Sequence, residues 1–347
     1  MQIERKYPVG FDSEWDVEAV RALVRRARHA VLVAHTNADG DAVGSLTGMT
    51  ALLTAAGLSE ATPLLPDGVP EELAWLPNTD RIVSAKDSPD RCREAIADAD
   101  LIVGLDISSF GRTGMLEPWL RASQAKKLLV DHHECPDREA FDTVVSEPDA
   151  SSTCELVYWL MRAAFGDGLF GKEAAESLFT GICTDTGTFS YSNDRPSVYL
   201  AAADLLHFGI DPMHINRCIK NVFTEARLRF FGFAVAHRLT VYERQRVALM
   251  VLSADDISQG GVQSSELTGL INEVMRLRDV DCGILVREEE GKVRLSLRSK
   301  ELYDVNQLAR EMFDGGGHKR AAGATSLRTL DETVEIVKKK LGLTGNQ

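Results

Sequence analysis

The chain is 347 residues long, with 44% hydrophobic residues, 26% charged residues and a net charge of −13. This is the composition of an ordinary soluble protein, and no run approaches the roughly 20 apolar residues that a membrane-spanning helix needs. The first 15 residues lack the apolar stretch of a signal peptide, and the six cysteines show no paired spacing. We therefore expect a cytoplasmic protein of two domains, with free thiols and no membrane partner.

Apolar runs alternate with helical patterns up to about residue 190. The patterns predict buried strands at 31–34, 101–105 and 128–130, and helices at about 41–56, 152–164 and 172–182. Strands separated by helices favour a doubly wound, mainly parallel sheet. The predicted fold class is therefore α/β, with residues 1–190 as the first domain.

The rest of the chain predicts a helical connector and a smaller domain. Residues 191–235 are helical in pattern, and residues 236–347 read as a mixed α/β domain. This domain has predicted strands at 239–242 and 247–252, a hairpin of 283–286 with 293–297, and helices at 264–276 and 305–313.

Charge is divided unevenly along the chain. Residues 1–190 carry 17 Lys and Arg against 31 Asp and Glu, whereas residues 191–347 carry 22 against 21. An acidic half that concentrates metal ions, beside a half with arginine clusters, suits a phosphorylated substrate. The alternative is that the surface acids simply keep the protein in solution.

Acidic and imidazole side chains follow several of the predicted strands. The candidates are His35, Asp39, Asp41, Asp106, Asp131, His132 and His133, with Asp185 within the stretch 181–187. Side chains beyond the carboxyl ends of parallel strands can meet although they are distant in sequence. Packed together, such carboxylates would repel one another, and oxygen-rich ligation with some imidazole suits manganese or magnesium better than structural zinc. The alternative for a single residue such as Asp41 or Asp185 is a helix N-cap.

A glycine run near the end of the chain suggests an anion site. Gly315, Gly316 and Gly317 let the backbone approach a ligand, and His318 adds a donor. The alternative is a helix C-cap and turn, for which one glycine suffices. Upstream, the strand-end segment 296–300 places Ser296 and Arg298 on one face, next to Ser299, so Arg298 could bind a phosphate or carboxylate.

Taken together, these motifs resemble the DHH phosphoesterase superfamily, in its RecJ-like branch with a C-terminal DHH-associated domain. The resemblance rests on His35-x3-Asp39-x-Asp41-x2-Gly44-Ser45, Asp106, Asp131-His132-His133, Asp185 and Gly315-Gly316-Gly317-His318, in this order over residues 31–323. Within the superfamily, the motifs are most similar to those of the nano-RNase and pAp phosphatase group.

The resemblance implies two divalent metal ions, manganese first, with magnesium or cobalt as alternatives. The implied ligands are His35, Asp39 and Asp106 for one ion, and Asp41, Asp106, His132 and Asp185 for the other. Asp106 would bridge the two ions, which would share a water that attacks phosphorus. Asp131 would orient a neighbouring histidine.

Further residues would contact the substrate in such an enzyme. His133 would touch the phosphoryl oxygens or assist the leaving group. Arg112 could reach a substrate phosphate, although a loop arginine is equally compatible with a salt bridge. Arg298, Ser299 and the segment Gly315–His318 would bind the terminal phosphate.

The implied reaction is hydrolysis of short 5′-phosphorylated single-stranded oligoribonucleotides, such as pGpG or pApA, to mononucleotides, and of pAp to AMP and phosphate. Long duplexes are not expected as partners, since no basic groove with stacking aromatic residues is evident. The alternatives are a cyclic-dinucleotide phosphodiesterase, an inorganic pyrophosphatase and a catalytically silent nucleotide-binding or regulatory module. A homodimer is a further possible assembly of the chain.

Overall fold

A computed structural model describes residues 15–190, 194–220, 223–267, 269–313 and 315–343 of the chain. The chain divides into two compact units, residues 1–222 and 223–347. Among the described residues, each unit has its own six-stranded sheet. None of the helices within these ranges is long and apolar enough to cross a membrane.

The first unit alternates strands and helices. Its elements are α1 (Val17–Arg26), β1 (His29–Val33), α2 (Gly40–Ala55), β2 (Glu60–Leu65), β3 (Val83–Ser84), α3 (Pro89–Asp98), β4 (Leu101–Leu105), α4 (Glu117–Ala122), β5 (Lys126–Asp131), β6 (Thr143–Ser146), α5 (Thr153–Phe165), α6 (Lys172–Asp185), α7 (Pro196–Leu206) and α8 (Pro212–Lys220). The strand order is β3-β2-β1-β4-β5-β6, and every pairing is parallel. The predicted doubly wound parallel sheet is confirmed.

The apolar strands of this sheet are covered on both faces. In β1, Leu32 packs in a core with residues of α2, α5 and α6, whereas Val31 and Val33 pack on the other face with residues of α3 and α4. This explains why β1 and β4 are continuous apolar runs instead of alternating ones. The strand order reverses between β1 and β4, and in such sheets ligands bind beyond the carboxyl ends at that point.

Glycines bring helices α2 and α6 unusually close. A Cβ on Gly44 would lie 2.5 Å from the carbonyl oxygen of Ser177, and one on Gly181 would collide with the Cys154 side chain and lie 2.8 Å from Asp41 Oδ1. Only glycine permits this approach. As a result, the start of α2, which carries Asp41, lies beside the end of α6, which carries Asp185.

The substitution Gly44→Ala is expected to destabilise the first unit by about 1–3 kcal/mol, because the new methyl group meets backbone that cannot move aside. The matched control is Gly232→Ala, since Gly232 is an exposed helical position with nothing within 4 Å of its Cβ direction. That change should stabilise its unit by roughly 0.5–1 kcal/mol through helix propensity. Calorimetric melting of both variants tests whether the two changes in stability have opposite signs.

The second unit is a mixed sheet with helices. Its elements are α9 (Glu225–His237), β7 (Leu239–Tyr242), β8 (Val247–Leu252), α10 (Ala254–Gly260), α11 (Leu270–Val274), β9 (Cys282–Glu289), β10 (Lys292–Ser299), α12 (Val305–Phe313), β11 (Gly316–His318), β12 (Ala321–Ser326) and α13 (Leu330–Leu341). The order is β11-β12-β10-β9-β8-β7, and the β8–β9 pair is parallel while the others are antiparallel. The smaller mixed α/β domain is confirmed as a fold class.

Two predicted segments differ in the structure. The helix predicted at 264–276 is interrupted: a 3-10 turn at Ser264–Leu267 precedes Gly269, whose left-handed φ of 89° starts α11 anew. The described parts of the predicted helical connector, 194–220 and 223–235, belong to different units, whereas residues 191–193, 221 and 222 lie outside the described residues. Helices α7 and α8 bury residues such as Val198 and Ile215 in the core of the first unit, whereas α9 buries Phe230 and Phe231 in the second.

Candidate metal centre

The structure gathers His35, Asp39 and Asp106 into one cluster. Their ligand atoms lie within 4.8 Å of one another. Nε2 of His35 is 3.3 Å from Asp106 Oδ2 and 3.9 Å from Asp39 Oδ1, while its Nδ1 lies 2.8 Å from the carbonyl oxygen of Thr36. A proton on Nδ1 would be donated to that carbonyl, which leaves Nε2 free to bind a cation.

A second cluster contains Asp41, His132 and Asp185, again within 4.8 Å. Nε2 of His132 lies 3.4 Å from Asp185 Oδ2, 3.9 Å from Asp41 Oδ2 and 3.5 Å from Asp106 Oδ1. One carboxylate, that of Asp106, therefore faces both clusters with different oxygens. Asp106 also has a left-handed φ of 60°, which is strained for a residue with a side chain and is typical of functional sites.

The helix N-cap at this site is Asp39, and not Asp41 or Asp185, for which a cap was the alternative. Asp39 caps α2, because its Oδ1 accepts hydrogen bonds from the backbone of Asp41 and Ala42 at 3.1 and 3.0 Å. Asp41 lies in the first turn of that helix, and Asp185 is the last residue of α6. Asp185 thus reaches the cluster from a helix C-terminus and Asp41 from a first helical turn, whereas Asp106 follows directly after β4.

His133 is held from two sides. Its Nδ1 donates to Asp131 Oδ1 at 2.9 Å, and Arg112 Nη1 donates to its Nε2 at 3.0 Å. Asp131 is fully buried, so its carboxylate interacts with the imidazole ring of His133 and not with solvent. Arg112 also donates to the backbone oxygen of Asp106 at 3.3 Å. The described contacts of Arg112 are therefore with the centre itself, and no carboxylate ion pair of Arg112 occurs among the described residues.

The carboxylates are crowded and buried. Burial, followed by the charge of Asp106, raises the pKa of Asp41 to about 7. Burial and the charges of Asp41, Asp39 and Asp106 raise the pKa of Asp185 well above its usual value. Burial opposes ionisation of Asp106 too, but the hydrogen bond of His35 and the charges of His132 and His133 hold its pKa low. Such a set of acids needs positive charge, and carboxylates with imidazoles fit a manganese- or magnesium-type cation.

The start of α5 also holds two of the carboxylates, although no sequence motif indicated it. The backbone N–H groups of Thr153 and Cys154 donate to the two oxygens of Asp41 at 2.7 and 2.8 Å, and the Thr153 hydroxyl donates to Asp106 Oδ1 at 3.1 Å. Ser152 caps this helix by accepting from the backbone of Glu155. Serine and threonine before a helical pattern are a helix-start signal, and a helix N-terminus attracts acids.

We expect Thr153→Val to weaken Mn²⁺ binding by about tenfold or more, because it removes the hydroxyl that orients Asp106 while keeping the buried shape. Thr153→Ser keeps the hydroxyl and should stay near the affinity of the unaltered chain. Isothermal titration calorimetry with Mn²⁺ measures both. Equal affinities for the two variants would contradict an orienting role of this hydroxyl.

Apart from Arg112, the predicted substrate-binding residues lie in the second unit. Ser296 and Arg298 share one face of β10, as the alternation predicted, because Leu295 and Leu297 are buried on the other. Arg298 is half-buried, and its Nη1 donates to the carbonyl of Leu297 at 3.0 Å. The Ser299 hydroxyl donates to the carbonyl of Tyr303 at 2.7 Å, so its proton is already engaged.

The glycine run forms a short strand after a helix end. Gly315 donates its N–H to the carbonyl of Ala309 at 3.1 Å, which is the C-cap alternative, and Gly316–His318 pairs with β12. A Cβ on Gly317, whose φ is 146°, would lie 2.5 Å from the carbonyl of Ala321. Packing therefore explains two of the three glycines. At Gly316 a Cβ would meet only Asn306, at 4.0 Å, so this glycine leaves room for a ligand.

Comparison with known families identifies both units. The DHH family N-terminal domain matches residues 29–182, a range that includes every predicted metal ligand except Asp185, and the DHHA1 domain matches residues 245–342. The chain belongs to the DHH family. It is therefore a hydrolase of the phosphoesterase type.

Individual relatives cover most of the chain. The bifunctional oligoribonuclease and PAP phosphatase NrnA of Bacillus subtilis is 25% identical over 88% of this chain and 92% of its own length. The cyclic-di-AMP phosphodiesterase GdpP of the same organism is 23% identical over 93% of this chain, which spans only 48% of GdpP. Among solved structures, an exopolyphosphatase-related protein from Bacteroides fragilis has a TM-score of 0.91 and 30% identity, covering 94% of this chain and 95% of that chain.

Proposed function

We propose that this DHH protein is a metal-dependent phosphoesterase that hydrolyses short 5′-phosphorylated oligoribonucleotides to mononucleotides and pAp to AMP and phosphate. The observation that carries the proposal is the carboxylate of Asp106, whose two oxygens face two separate clusters of histidine and aspartate. Similarity to relatives named as oligoribonucleases and PAP phosphatases, over nearly their whole length, supports the substrate class.

The centre would hold two divalent cations, with manganese as our first choice. His35, Asp39 and Asp106 would hold one, and Asp41, Asp106, His132 and Asp185 the other. When bound, such a pair neutralises charge on the phosphoryl group and lowers the pKa of a shared water towards roughly 7.

The chain's own groups do the positioning around this pair. The carbonyl of Thr36 orients His35, and the backbone at the start of α5 orients Asp41. We assign His133 to a phosphoryl oxygen or the leaving group, because Asp131 holds its ring in one orientation beside Asp106. Arg112 donates to the same ring, so we assign it to positioning of His133 as well as to attraction of the substrate's negative charge.

In the second unit, Arg298, Ser299 and the segment Gly315–His318 are our candidates for the terminal phosphate. A guanidinium fork matches phosphate geometry, and Gly316 leaves space for close approach of the backbone. Ser299 would contribute only its acceptor oxygen or backbone, because its proton is donated to Tyr303.

We expect Arg298→Ala to raise KM for a 5′-phosphorylated dinucleotide about 10-fold to 100-fold with little change in kcat, because a charge-assisted hydrogen bond is worth ~1.5–3 kcal/mol. Arg310→Ala is the matched control, since Arg310 is an exposed arginine on α12. Steady-state kinetics of both variants is the measurement. If both constants of Arg298→Ala equalled those of the control, we would withdraw the phosphate role of this strand.

The experiment that tests the proposed function is a chromatographic time course with Mn²⁺. It compares a 5′-phosphorylated diribonucleotide, a longer 5′-phosphorylated oligomer, pAp, a cyclic dinucleotide and pyrophosphate at equal concentration. Rapid conversion of the dinucleotide to mononucleotides, with cleavage of pAp, is the expected result. Failure to cleave either would refute the proposal.

A cyclic-dinucleotide phosphodiesterase is the second candidate, and the similarity to GdpP over 93% of this chain favours it. The same time course separates the two candidates. Preference for the cyclic substrate would replace the substrate assignment while keeping the metal centre. Binding of nucleotide without turnover of any substrate would instead favour a silent regulatory module.

A further inference from the structure

The face of the second unit that carries Arg298 also carries a second group of cations beside a cavity. The cavity has a volume of about 530 Å³, and its lining includes Arg287, Arg294, Ser296, Gly315, Gly316 and Thr325. None of the contacts that define the predicted metal centre involves this part of the chain. Arg287 and Arg294 were not among the candidates that the motifs indicated.

Strand register places these cations together. Arg294 on β10 lies directly opposite Arg287 on β9, and Lys292 lies opposite Glu289. Alternation along β10 puts Lys292, Arg294, Ser296 and Arg298 on one face, since Val293, Leu295 and Leu297 are buried on the other. Arg294 faces Thr325 of β12 and donates to its hydroxyl at 3.0 Å.

Among the residues that the structure describes, Glu289 lies close to three cations of this face. Glu289 lies 3.2 Å from Arg287 Nε, 3.8 Å from Lys292 Nζ and 3.6 Å from Arg294 Nε. The neighbouring Glu288 lies on the other face by alternation and accepts from the backbone of Ala254 at 3.0 Å. Like charges directly opposite in a sheet are destabilising, and an anion bound beside Arg287 and Arg294 would relieve the repulsion between them.

We propose that Arg287 and Arg294 in this cavity bind an internal phosphate of an oligoribonucleotide longer than a dinucleotide, while Gly315 and Gly316, which also line it, stay with the terminal phosphate. The inference rests on the proposed function, because it extends the same substrate. Arg294 and Arg298 are four residues apart on one strand, or about 13 Å, so the two arginines contact different phosphates. The side chain of Arg294 is 48% exposed, and its planar fork can bind a phosphate while Glu289 and Thr325 hold it in place.

The test compares a 5′-phosphorylated tetranucleotide with a 5′-phosphorylated dinucleotide on the unaltered chain and on Arg294→Gln. We expect the ratio of kcat/KM for the longer over the shorter substrate to fall about tenfold in the variant. Arg294→Lys keeps the charge without the fork and should give an intermediate ratio. Arg244→Gln, on the exposed turn after β7, is the matched control and should leave the ratio unchanged.

Salt dependence gives a second readout. Loss of one phosphate contact should flatten the dependence of log KM on log salt by about 0.7 for the tetranucleotide. An unchanged length ratio, or equal losses on both substrates, in an Arg294→Gln protein with an unaltered melting temperature would overturn the inference. Failure of the unaltered chain to hydrolyse either substrate would refute the proposed function, which is a distinguishable result.

Discussion

Asp106→Ala is expected to abolish hydrolysis of every substrate, with a fall in kcat/KM of about 10³-fold or more. Its two carboxylate oxygens lie beside His35 of one predicted cation site and His132 of the other. Loss of a bound cation removes several kcal/mol of transition-state stabilisation, and each ~1.36 kcal/mol is a factor of ten in rate. The isosteric Asp106→Asn should be nearly as inactive, since it keeps the shape but not the charge.

Steady-state assays on the dinucleotide and on pAp, with Mn²⁺ titrated in each case, measure this effect. Asp142→Ala is the matched control, because Asp142 pairs with Lys126 at the protein surface, where such a pair is worth ~1 kcal/mol or less. Near-normal hydrolysis by Asp106→Ala would show that the two-metal mechanism is wrong.

Addition of Mn²⁺ is expected to raise the melting temperature of the first unit by about 5–10 °C. A ligand at 100 times its Kd stabilises the folded state by ~2.7 kcal/mol, and ~1 kcal/mol shifts the melting temperature of a unit of this size by ~2–4 °C. The crowding of Asp41, Asp106 and Asp185 acts in the same direction, because a cation relieves their mutual repulsion.

Differential scanning calorimetry of chelator-treated protein, with and without Mn²⁺, measures this shift. The second unit contains none of the predicted ligands, so its transition is an internal reference. Asp106→Asn should lose most of the shift. A shift of equal size in Asp106→Asn, or one confined to the second unit, would contradict the assignment of the ligands.

Local sequence patterns determined much of this protein. The apolar runs before His35, Asp106 and Asp131 are buried on both faces. A continuous apolar run predicts such a buried strand from the local sequence alone. The same holds for the β9–β10 hairpin and for α12. The side chains that follow those strands were therefore predictable as neighbours from local patterns alone.

Other strands carried weaker signals. Strand β2 contains Pro63, which argues against an interior strand from sequence alone. In the folded chain β3 pairs only with Leu64 and Leu65 of β2. Pro63 therefore faces no residue of β3 whose carbonyl would need the N–H that proline lacks. Because β3 is short, β2 can contain a proline although it lies inside the sheet. Only the assembled sheet shows this.

The tertiary structure alone decided how the centre is held together. Helix α5 reaches Asp41 and Asp106 across more than 40 residues of sequence, and Asp185 arrives at the end of α6 because Gly44 and Gly181 allow the helices to touch. Hydrogen-bond donors that lie so far away in sequence produce no periodic pattern from which their contacts could be predicted. The sequence determined which chemical groups would meet, because strand ends share one edge of a parallel sheet, whereas their orientation depended on long-range packing that no local pattern encodes.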